Sequence, residues 1–343
     1  MQYKNKKPLL ILGIETSCDE TAVAIVENGQ KIHSNLIASQ IQFHKEFQGI
    51  VPEVASRKHL EVILSLLKKS LKEAQVTLQD INAIAVTYGP GLLGSLLIGI
   101  TVAKGMAFSL NLPLIGINHL EAHLYAAFLT SPPPCPPLVG LIISGGHTEI
   151  VYMAKNKEYE LLGSTRDDAL GEAFDKVARM LNLGYPGGPI IERIAKMGNA
   201  SKIKLPLPRF KDKTLDFSFS GLKTAVLYKL RELKKKNMPI SIEDMAASFQ
   251  LQTARIIEER IAQATTLKKV QQVIIGGGVA SNNFIREYLS TKFKEKLQIF
   301  IPPPQLCTDN AVMIAALAYH KLKQEKISTL SLEAKPNLRI GKK

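Results

Sequence analysis

Short apolar runs alternate with amphipathic segments along most of the chain. Two apolar runs, about 8–14 and 21–27, lie on either side of the polar loop ETSCDE and predict a β-hairpin. Between 53 and 74, apolar residues recur at helical spacing and predict an amphipathic helix, the positions being Leu60, Ile63, Leu64, Leu67 and Leu71. Strands and helices continue to alternate, which is the α/β pattern.

Residues 81–103 have no charged side chain and are the one serious candidate for a membrane span. Gly89, Pro90 and Gly91 interrupt this stretch, because proline lacks a backbone donor and glycine favours turns. We therefore predict a strand at 84–86 and a helix at 92–109 that is apolar nearly all round and lies in the core. We expect no membrane association.

A proline-rich segment, SPPPCPP at 131–137, marks the clearest boundary. At 343 residues the chain is about twice the usual domain unit of roughly 150. We predict an N-terminal lobe at 1–133 and a C-terminal lobe at 134–343. The last helix, about 310–324, packs either within the C-terminal lobe or back on the N-terminal lobe. Residues 137–153 repeat the order of 8–26: apolar strand, short polar loop, second apolar strand.

A glycine-rich turn follows an apolar run in VIIGGGVASNNFIREYL, residues 273–289. Without side chains, such a turn allows backbone N–H groups to approach a phosphate or nucleoside closely. An ordinary turn between a strand and a helix explains the same glycines equally well.

Charge adds a partner class to this picture. The 44 Lys and Arg exceed the 30 Asp and Glu by 14, and such an excess favours an anionic partner such as nucleic acid or nucleotide. Residues 202–236 hold eleven basic and three acidic residues, with Phe210, Phe217 and Phe219 among them. This composition suits nucleic-acid contact, and a solvated basic helix is the alternative. The three cysteines have no CxxC spacing, which fits a reducing cytoplasm better than a disulfide framework.

The sharpest local pattern is NHLEAHL at 118–124. His119 and His123 share one face of a helix and can bind one metal ion, whereas Glu121 has the wrong phase for the general base of a zinc peptidase. Asn118 with Glu121 instead fits a capping box. Asp309 either completes an open iron or zinc site or caps the helix that follows it.

Four segments together resemble the TsaD family, once called O-sialoglycoprotein endopeptidases: GIETSCDET (13–21), KGMAFSLNLPLIGINHLEAHL (104–124), SGGHT (144–148) and GGGVASNNFIR (276–286). The resemblance covers essentially the whole chain. It implies an actin/hexokinase-like (ASKHA) fold of two lobes with duplicated phosphate-binding hairpins and a nucleotide between the lobes. It implies transfer of threonylcarbamoyl from threonylcarbamoyl-AMP to N6 of adenosine 37 in tRNAs that read ANN codons.

The resemblance also implies site residues and partners. It makes His119, His123 and Asp309 ligands of a divalent metal, Fe²⁺ in bacterial members, and it leaves room for ATP or ADP at the adenylate site. Partners implied are tRNA and proteins of the TsaB and TsaE type. The implied adenylate contacts are Ile142, Ile143, Ser144, Gly145, Gly146, Asp175, Gly188, Glu192 and Asn282. Many relatives have Asp at position 192, so the longer Glu192 places its ribose contact in question.

The chemistry of such a transfer needs a group near the attacking amine. The adenylate is already activated, so the enzyme must position N6 and stabilise a developing oxyanion. We expect Asp19 and Glu20, in the first hairpin loop, to act as base or orienting group, with a surface hairpin turn as the alternative. The competing functions are a metallopeptidase and a non-catalytic actin-like nucleotide-binding module.

Overall fold

The computed structural model describes residues 8–156, 158–207, 214–239 and 241–341. The chain divides into two compact units: unit 1 is Met1–Leu129 with Asp309–Lys343, and unit 2 is Thr130–Thr308. The strands of unit 1 are β1 (Leu10–Glu15), β2 (Glu20–Glu27), β3 (Lys31–Ser39), β4 (Ala83–Gly89) and β5 (Leu114–Asn118). Its helices are α1 (Ile41–Lys45), α2 (Pro52–Glu73), α3 (Leu93–Leu110), α4 (His119–Tyr125) and α11 (Ala311–Lys323).

Unit 2 holds the remaining elements. Its strands are β6 (Leu138–Ile143), β7 (Thr148–Met153), β8 (Tyr159–Ser164), β9 (Gln272–Gly276) and β10 (Gln298–Phe300). Its helices are α5 (Leu170–Met180), α6 (Gly187–Ala195), α7 (Ser220–Lys235), α8 (Ile242–Lys268), α9 (Asn283–Phe293) and α10 (Pro304–Cys307). Short 3₁₀ turns lie at Leu78–Asp80, Ala126–Leu129 and Gly278–Ser281.

The sheet of unit 1 is covered on both faces, which explains why β1 is apolar up to its last residue. Its strand order is β3-β2-β1-β4-β5, with β1, β2 and β3 antiparallel and β4 and β5 parallel to β1. Leu12 and Ile14 of β1 join the core under α2 and α3. Gly13 points the other way, where a Cβ would lie 2.5 Å from the carbonyl oxygen of Ala311. α11 therefore packs directly on the strand backbone.

Residues 309–343 lie with unit 1, whereas the sequence-based division places them in the C-terminal lobe as a continuous stretch. The reason is physical: α11 covers the second face of the unit 1 sheet and packs against β1, β2 and β5. The other predicted boundary, after residue 133, lies four residues beyond the end of the first segment of unit 1.

The prediction that α3 is a core helix is wrong for one of its faces. One face packs under the sheet, with Leu96 and Ile100 buried, but Leu97 and Phe108 are 46% and 75% exposed. Within the described residues, α3 is the one helix long and apolar enough to cross a membrane, and 33% of its apolar window is buried. A single helix of this kind is weak evidence for a membrane span.

Unit 2 repeats the strand arrangement of unit 1. Its order is β10-β9-β6-β7-β8, with β6, β7 and β8 antiparallel, β9 parallel to β6, and β10 parallel to β9. The two predicted hairpins, 8–26 and 137–153, are β1–β2 and β6–β7, and each opens its sheet in the same way. The repeat predicted from the sequence is confirmed at the level of topology.

Candidate active site

Two histidines of α4 form the centre of the candidate metal site in unit 1. β5 ends at Asn118, whose side-chain oxygen accepts hydrogen bonds from the backbone N–H groups of Leu120 and Glu121 and so starts the helix. His119 and His123 lie one turn apart on the same side, and both are buried. Their Nε2 atoms are 3.1 Å apart.

Asp309 completes a cluster with these histidines. Asn310, and not Asp309, caps α11, because its side-chain oxygen accepts the N–H of Met313 at 3.1 Å. Asp309 instead places Oδ1 at 3.0 Å from Nε2 of His123 and 3.5 Å from Nε2 of His119. The helix-cap alternative for Asp309 is therefore wrong.

The geometry of these three side chains fits one metal ion. One ligand atom from each residue can be chosen so that all three lie within 4.8 Å of one another. Two nitrogens bound to one ion at about 2.1 Å would be roughly 3.0–3.4 Å apart, which agrees with the separation of the two histidines. Two imidazoles and one carboxylate are a donor set for iron or zinc with open positions.

A buried carboxylate that the sequence analysis missed lies behind His119. Glu15, at the end of β1, has no exposed surface, and its Oε2 is 3.0 Å from Nδ1 of His119. Thr87 donates to the same oxygen, and the backbone N–H of Ser17 donates to Oε1. The sequence contained a signal for it: an acid that ends an otherwise apolar strand is a buried charge, and buried charges need partners.

Charges within this cluster shift the pKa values of its members. Burial opposes a charge on His119, but the carboxylates of Asp309 and Glu15 outweigh burial and raise the pKa of His119 to about 9. Burial and the charge on His119 lower the pKa of His123. The acids thus hold positive charge at this place.

Asp19 and Glu20 lie in the same electrostatic neighbourhood. Both are half-buried: Asp19 lies in the loop that joins β1 to β2, and Glu20 is the first residue of β2. Burial and then the charge of Asp309 raise the pKa of Asp19, and burial followed by the charges of Asp309 and Asp19 raises the pKa of Glu20 to about 8. Half-burial is more than a fully solvated surface turn would show, and a cluster of acids favours a bound cation.

Hydrogen bonds from α2 and from the residue before α1 hold the segment that carries these acids. The carbonyl of Cys18 accepts from Nε2 of His59 in α2 at 3.0 Å, and Nδ1 of His59 lies 2.8 Å from the hydroxyl of Thr21. The carbonyl of Asp19 accepts the N–H of Gln40 at 3.0 Å. The loop is thereby fixed on both sides of the two acids.

In unit 2 the predicted substrate residues begin at the end of β6. Ile142 and Ile143 are buried strand residues, and Ser144 closes a tight turn by donating its N–H to the carbonyl of His147 at 2.8 Å. Gly145 and Gly146 are exposed, with open space where a side chain would be. The backbone N–H groups of this turn are therefore accessible to a ligand.

The other predicted substrate residues are linked to this turn by a chain of contacts. Gly171, at the start of α5, donates its N–H to the carbonyl of Ser144 at 3.1 Å. Further along α5, Asp175 accepts the N–H of Gly187 at 2.7 Å, beside Gly188, which also faces open space. These contacts bring α5 and α6 to the turn after β6.

Glu192 and Asn282 both lie at the start of α9, where each bonds to a different neighbour. Asn282 caps α9 by accepting the N–H of Ile285 at 3.0 Å, and its amide donates to Gln250 at 2.9 Å. Glu192 accepts both the N–H and the side-chain amide of Asn283, at 3.1 and 2.9 Å. β9 runs parallel to β6, so this region lies at the same sheet edge as Ser144.

The basic segment differs from the prediction in its aromatic residues. Phe217 and Phe219 have no exposed surface and belong to the core of unit 2, so neither can stack on a base. Four other positions of the basic segment lie outside the described residues: Arg209, Phe210, Lys211 and Lys213. Exposed basic side chains do occur at the end of α7, where Arg231, Lys234 and Lys235 lie.

Solved structures match this architecture at low sequence identity. T. kodakarensis HypF matches with a TM-score of 0.65 and 14% identity, covering 94% of this chain and 49% of that one. The (R)-2-hydroxyglutaryl-CoA dehydratase component A of Acidaminococcus fermentans matches with a TM-score of 0.54 and 16% identity, covering 92% of this chain and 99% of that one. The fold is the expected two-lobed, actin/hexokinase-like α/β fold.

Sequence relatives are far closer. A protein of Clostridium perfringens (strain ATCC 13124) is 50% identical over 335 residues, covering 97% of this chain and 99% of that protein. One from Clostridium botulinum (strain Kyoto) is 51% identical over 339 residues, covering 98% of this chain and 100% of that protein. Both carry the name tRNA N6-adenosine threonylcarbamoyltransferase. The family model of that description matches residues 31–316, and the chain belongs to the TsaD family.

Proposed function

We propose that this chain transfers the threonylcarbamoyl group of threonylcarbamoyl-AMP to N6 of adenosine 37 in tRNAs that read ANN codons, releasing AMP. Membership of the TsaD family makes the chain an acyltransferase that forms N6-threonylcarbamoyladenosine. The structural observation that carries the mechanism is the convergence of His119, His123 and Asp309. A metallopeptidase is not favoured, because the carboxylate of Glu121 pairs with Lys321 at 3.2 Å. A non-catalytic nucleotide-binding module would not need the metal ligands.

Fe²⁺ is the metal that we propose for this site, held by Nε2 of both histidines and a carboxylate oxygen of Asp309. When bound, a divalent ion supplies Lewis acidity and a template for substrate oxygens. The donor set and the surrounding acids support a divalent ion at this site, and iron in particular follows from the resemblance to bacterial members of the family.

The transfer forms a bond between N6 and the carbamoyl carbon and breaks the bond from that carbon to the phosphate oxygen of AMP. One proton of the N6 amine must leave during this exchange. We assign its acceptance, or the orientation of the amine, to Asp19 and Glu20. A carboxyl group with a pKa of about 8, as in Glu20, is close to neutral pH, where acid–base groups are most effective.

Unit 2 supplies the adenylate site in this proposal. The open backbone of Ser144, Gly145 and Gly146 suits close approach of a phosphate, with Ile142 and Ile143 fixing the strand behind it. Asp175, Gly188, Glu192 and Asn282 line the path to the nucleoside, where ATP or ADP could also bind. Because Asn283 already holds one oxygen of Glu192, the ribose contact falls to its other oxygen.

Exposed basic residues at the end of α7 support tRNA as the macromolecular partner. Arg231, Lys234 and Lys235 are exposed, whereas Lys229 and Lys236 form ion pairs with Glu232 at 2.9 and 2.7 Å. Within the described part of the chain these three cations form no ion pair, and cations that contact phosphates release the counterions of the nucleic acid.

Partner proteins of the TsaB and TsaE type complete the proposal, and the reaction takes place in the cytoplasm. Two neighbouring helices of unit 1 each expose leucines one turn apart: Leu60 and Leu64 on α2, and Leu93 and Leu97 on α3. Paired apolar rows of this kind suit a helix pair of a TsaB-type partner.

The decisive experiment is transfer from synthetic threonylcarbamoyl-AMP to unmodified ANN-decoding tRNA, with the full chain, its bacterial partners and Fe²⁺ under anaerobic conditions. Mass spectrometry of the nucleosides detects modified adenosine 37. We expect product from the wild type, loss with His119→Ala, and normal activity with His33→Ala, since His33 forms a similar pair with Glu27 at 2.7 Å. Absence of product from the wild type would contradict the proposed function.

A further inference from the structure

Glu15 is a fully buried carboxylate that makes three polar contacts, and the reaction described above assigns it no role. Its Oε1 accepts the N–H of Ser17, and its Oε2 accepts from the hydroxyl of Thr87 and faces Nδ1 of His119 at 3.0 Å. A residue without exposed surface cannot touch tRNA or adenylate, so its effect must pass through its neighbours.

The contact with His119 fixes the proton on the imidazole. A carboxylate held by two other donors can only accept from the ring, so Nδ1 carries the hydrogen. In the neutral imidazole that binds a metal, Nε2 then keeps its lone pair, and it is Nε2 that faces His123 and Asp309. Metal-bound histidines are oriented by such a partner on their other nitrogen, and loss of the partner typically weakens metal binding 10–100-fold.

The two histidines differ in this respect. Nδ1 of His119 has Glu15 at 3.0 Å and the hydroxyl of Ser17 at 3.2 Å. Nδ1 of His123 is buried and, among the described residues, has no hydrogen-bond partner. Orientation of the pair by hydrogen bonding therefore depends on His119.

The same carboxylate also holds the start of the loop between β1 and β2, residues 16–19, which we call the catalytic loop. Ser17, bound through its N–H to Oε1, begins the segment that leads to Asp19 and Glu20. One buried side chain thus connects a proposed metal ligand to the loop that carries the proposed proton acceptors.

We propose that Glu15 is a positioning residue that sets the tautomer and orientation of His119 for metal binding and anchors the catalytic loop. The proposal rests on the metal site of the proposed function. Glu15→Gln tests it, because a glutamine amide at the Oε2 position donates to Nδ1 and drives the proton to Nε2, where it blocks the metal.

The test uses the full chain stripped of metal and titrated with Co²⁺, whose visible absorption reports both affinity and coordination geometry. We expect Glu15→Gln to bind Co²⁺ 10–100-fold more weakly than the wild type. Histidine ¹⁵N shifts of the metal-free protein, recorded above pH 9 so that the ring of His119 is neutral, should show His119 protonated at Nε2 in this variant and at Nδ1 in the wild type. Glu15→Asp, which keeps the charge, should restore part of the affinity.

Two matched controls separate positioning from other effects. Glu27→Gln makes the same substitution in another Glu–His pair of the same sheet and should leave Co²⁺ binding unchanged. Asp19→Asn removes a nearby charge without contacting His119 and should leave its tautomer unchanged. If circular dichroism shows that Glu15→Gln does not fold, Thr87→Val, which removes one donor to Glu15, takes its place in the test. We expect Thr87→Val to lose Co²⁺ affinity several-fold.

Three outcomes are distinct. Wild-type affinity and tautomer in Glu15→Gln would overturn the role of Glu15, as would wild-type affinity in Thr87→Val when that variant decides. In Glu15→Gln, weaker binding without a change of tautomer would also overturn it, since loss of charge alone then explains the effect. Failure of the wild type and of Glu27→Gln to bind Co²⁺ would instead overturn the metal site itself.

Discussion

Glu20 lies in a place where its charged form is unfavourable. Burial and the charges of Asp309 and Asp19 raise its pKa to about 8. In an unfolded chain the pKa of a glutamate is near 4.5. The folded, metal-free protein therefore keeps a proton on Glu20 that the unfolded protein loses, and folding opposes ionisation there.

Stability of the metal-free protein should consequently fall as pH rises from about 4.5 to 8. Glu20→Gln removes this dependence. At pH 8 we therefore expect the free energy of unfolding of the variant to exceed that of the wild type by more than about 1 kcal/mol, and at pH 4.5 we expect the two values to match. Urea unfolding in EDTA measures both. Glu27→Gln should show no such gain, because hydrogen bonds from His33 lower the pKa of Glu27 instead. Parallel pH profiles for wild type and Glu20→Gln would contradict the prediction.

At the level of residues, prediction from the sequence is accurate where the spacing of residues decides the geometry. It is poor where two neighbouring residues are equally suited to the same role. Four-residue spacing is enough to place His119 and His123 together. Asp309 and Asn310 are both good helix caps, and the sequence alone does not say which one is left for the metal. Glu15 was missed because its partners, Ser17, Thr87 and His119, come from three separate segments.

At the scale of elements, pattern predicts the type of an element better than what each face contacts. The hairpins and the helices α2 and α3 were all predicted near their observed bounds. α3 is apolar all round, so its periodicity contains no information on which face is exposed. Phe217 and Phe219 alternate with polar residues among lysines, and their burial depends on helices distant in sequence.

The cap of α11 offers a test at this scale. Asn310→Ala removes the bond to Met313 and should cost about 1 kcal/mol of stability. Because Asp309 directly precedes this cap, metal affinity should also fall severalfold. Ser241→Ala, which removes the cap of α8 in unit 2, should cost similar stability with metal affinity unchanged. Equal metal affinity in both variants, measured by calorimetry, would show that the cap does not position Asp309.

For the whole molecule, charge is the property that composition predicts most directly. The formal net charge is +14, and residues 202–236 contribute eleven positive and three negative side chains to it. Many of the described lysines in that segment are ion-paired, so net charge overstates what is free to meet a phosphate.

The salt dependence of tRNA binding separates free from paired lysines. Replacing Lys234 and Lys235 by glutamine should weaken binding and reduce the slope of log affinity against log salt by up to about 2, if each contacts one phosphate. Replacing Lys229 and Lys236, which pair with Glu232, should change the slope less. Filter binding across a salt series measures both, and equal slopes for the two double variants would refute this surface as a tRNA contact.

Unit 1 is built from two separate segments of the chain, and this has a consequence for synthesis on the ribosome. Unit 2, residues 130–308, is continuous and can fold as soon as it emerges. The sheet of unit 1 must wait for α11, and its metal cluster for Asp309, until all 179 residues of unit 2 have been made, a delay of roughly 10–40 s at about 5–20 residues per second. During that interval the β1 face around Gly13 is an uncovered apolar surface, so the nascent chain is most vulnerable to aggregation before it can capture a metal ion.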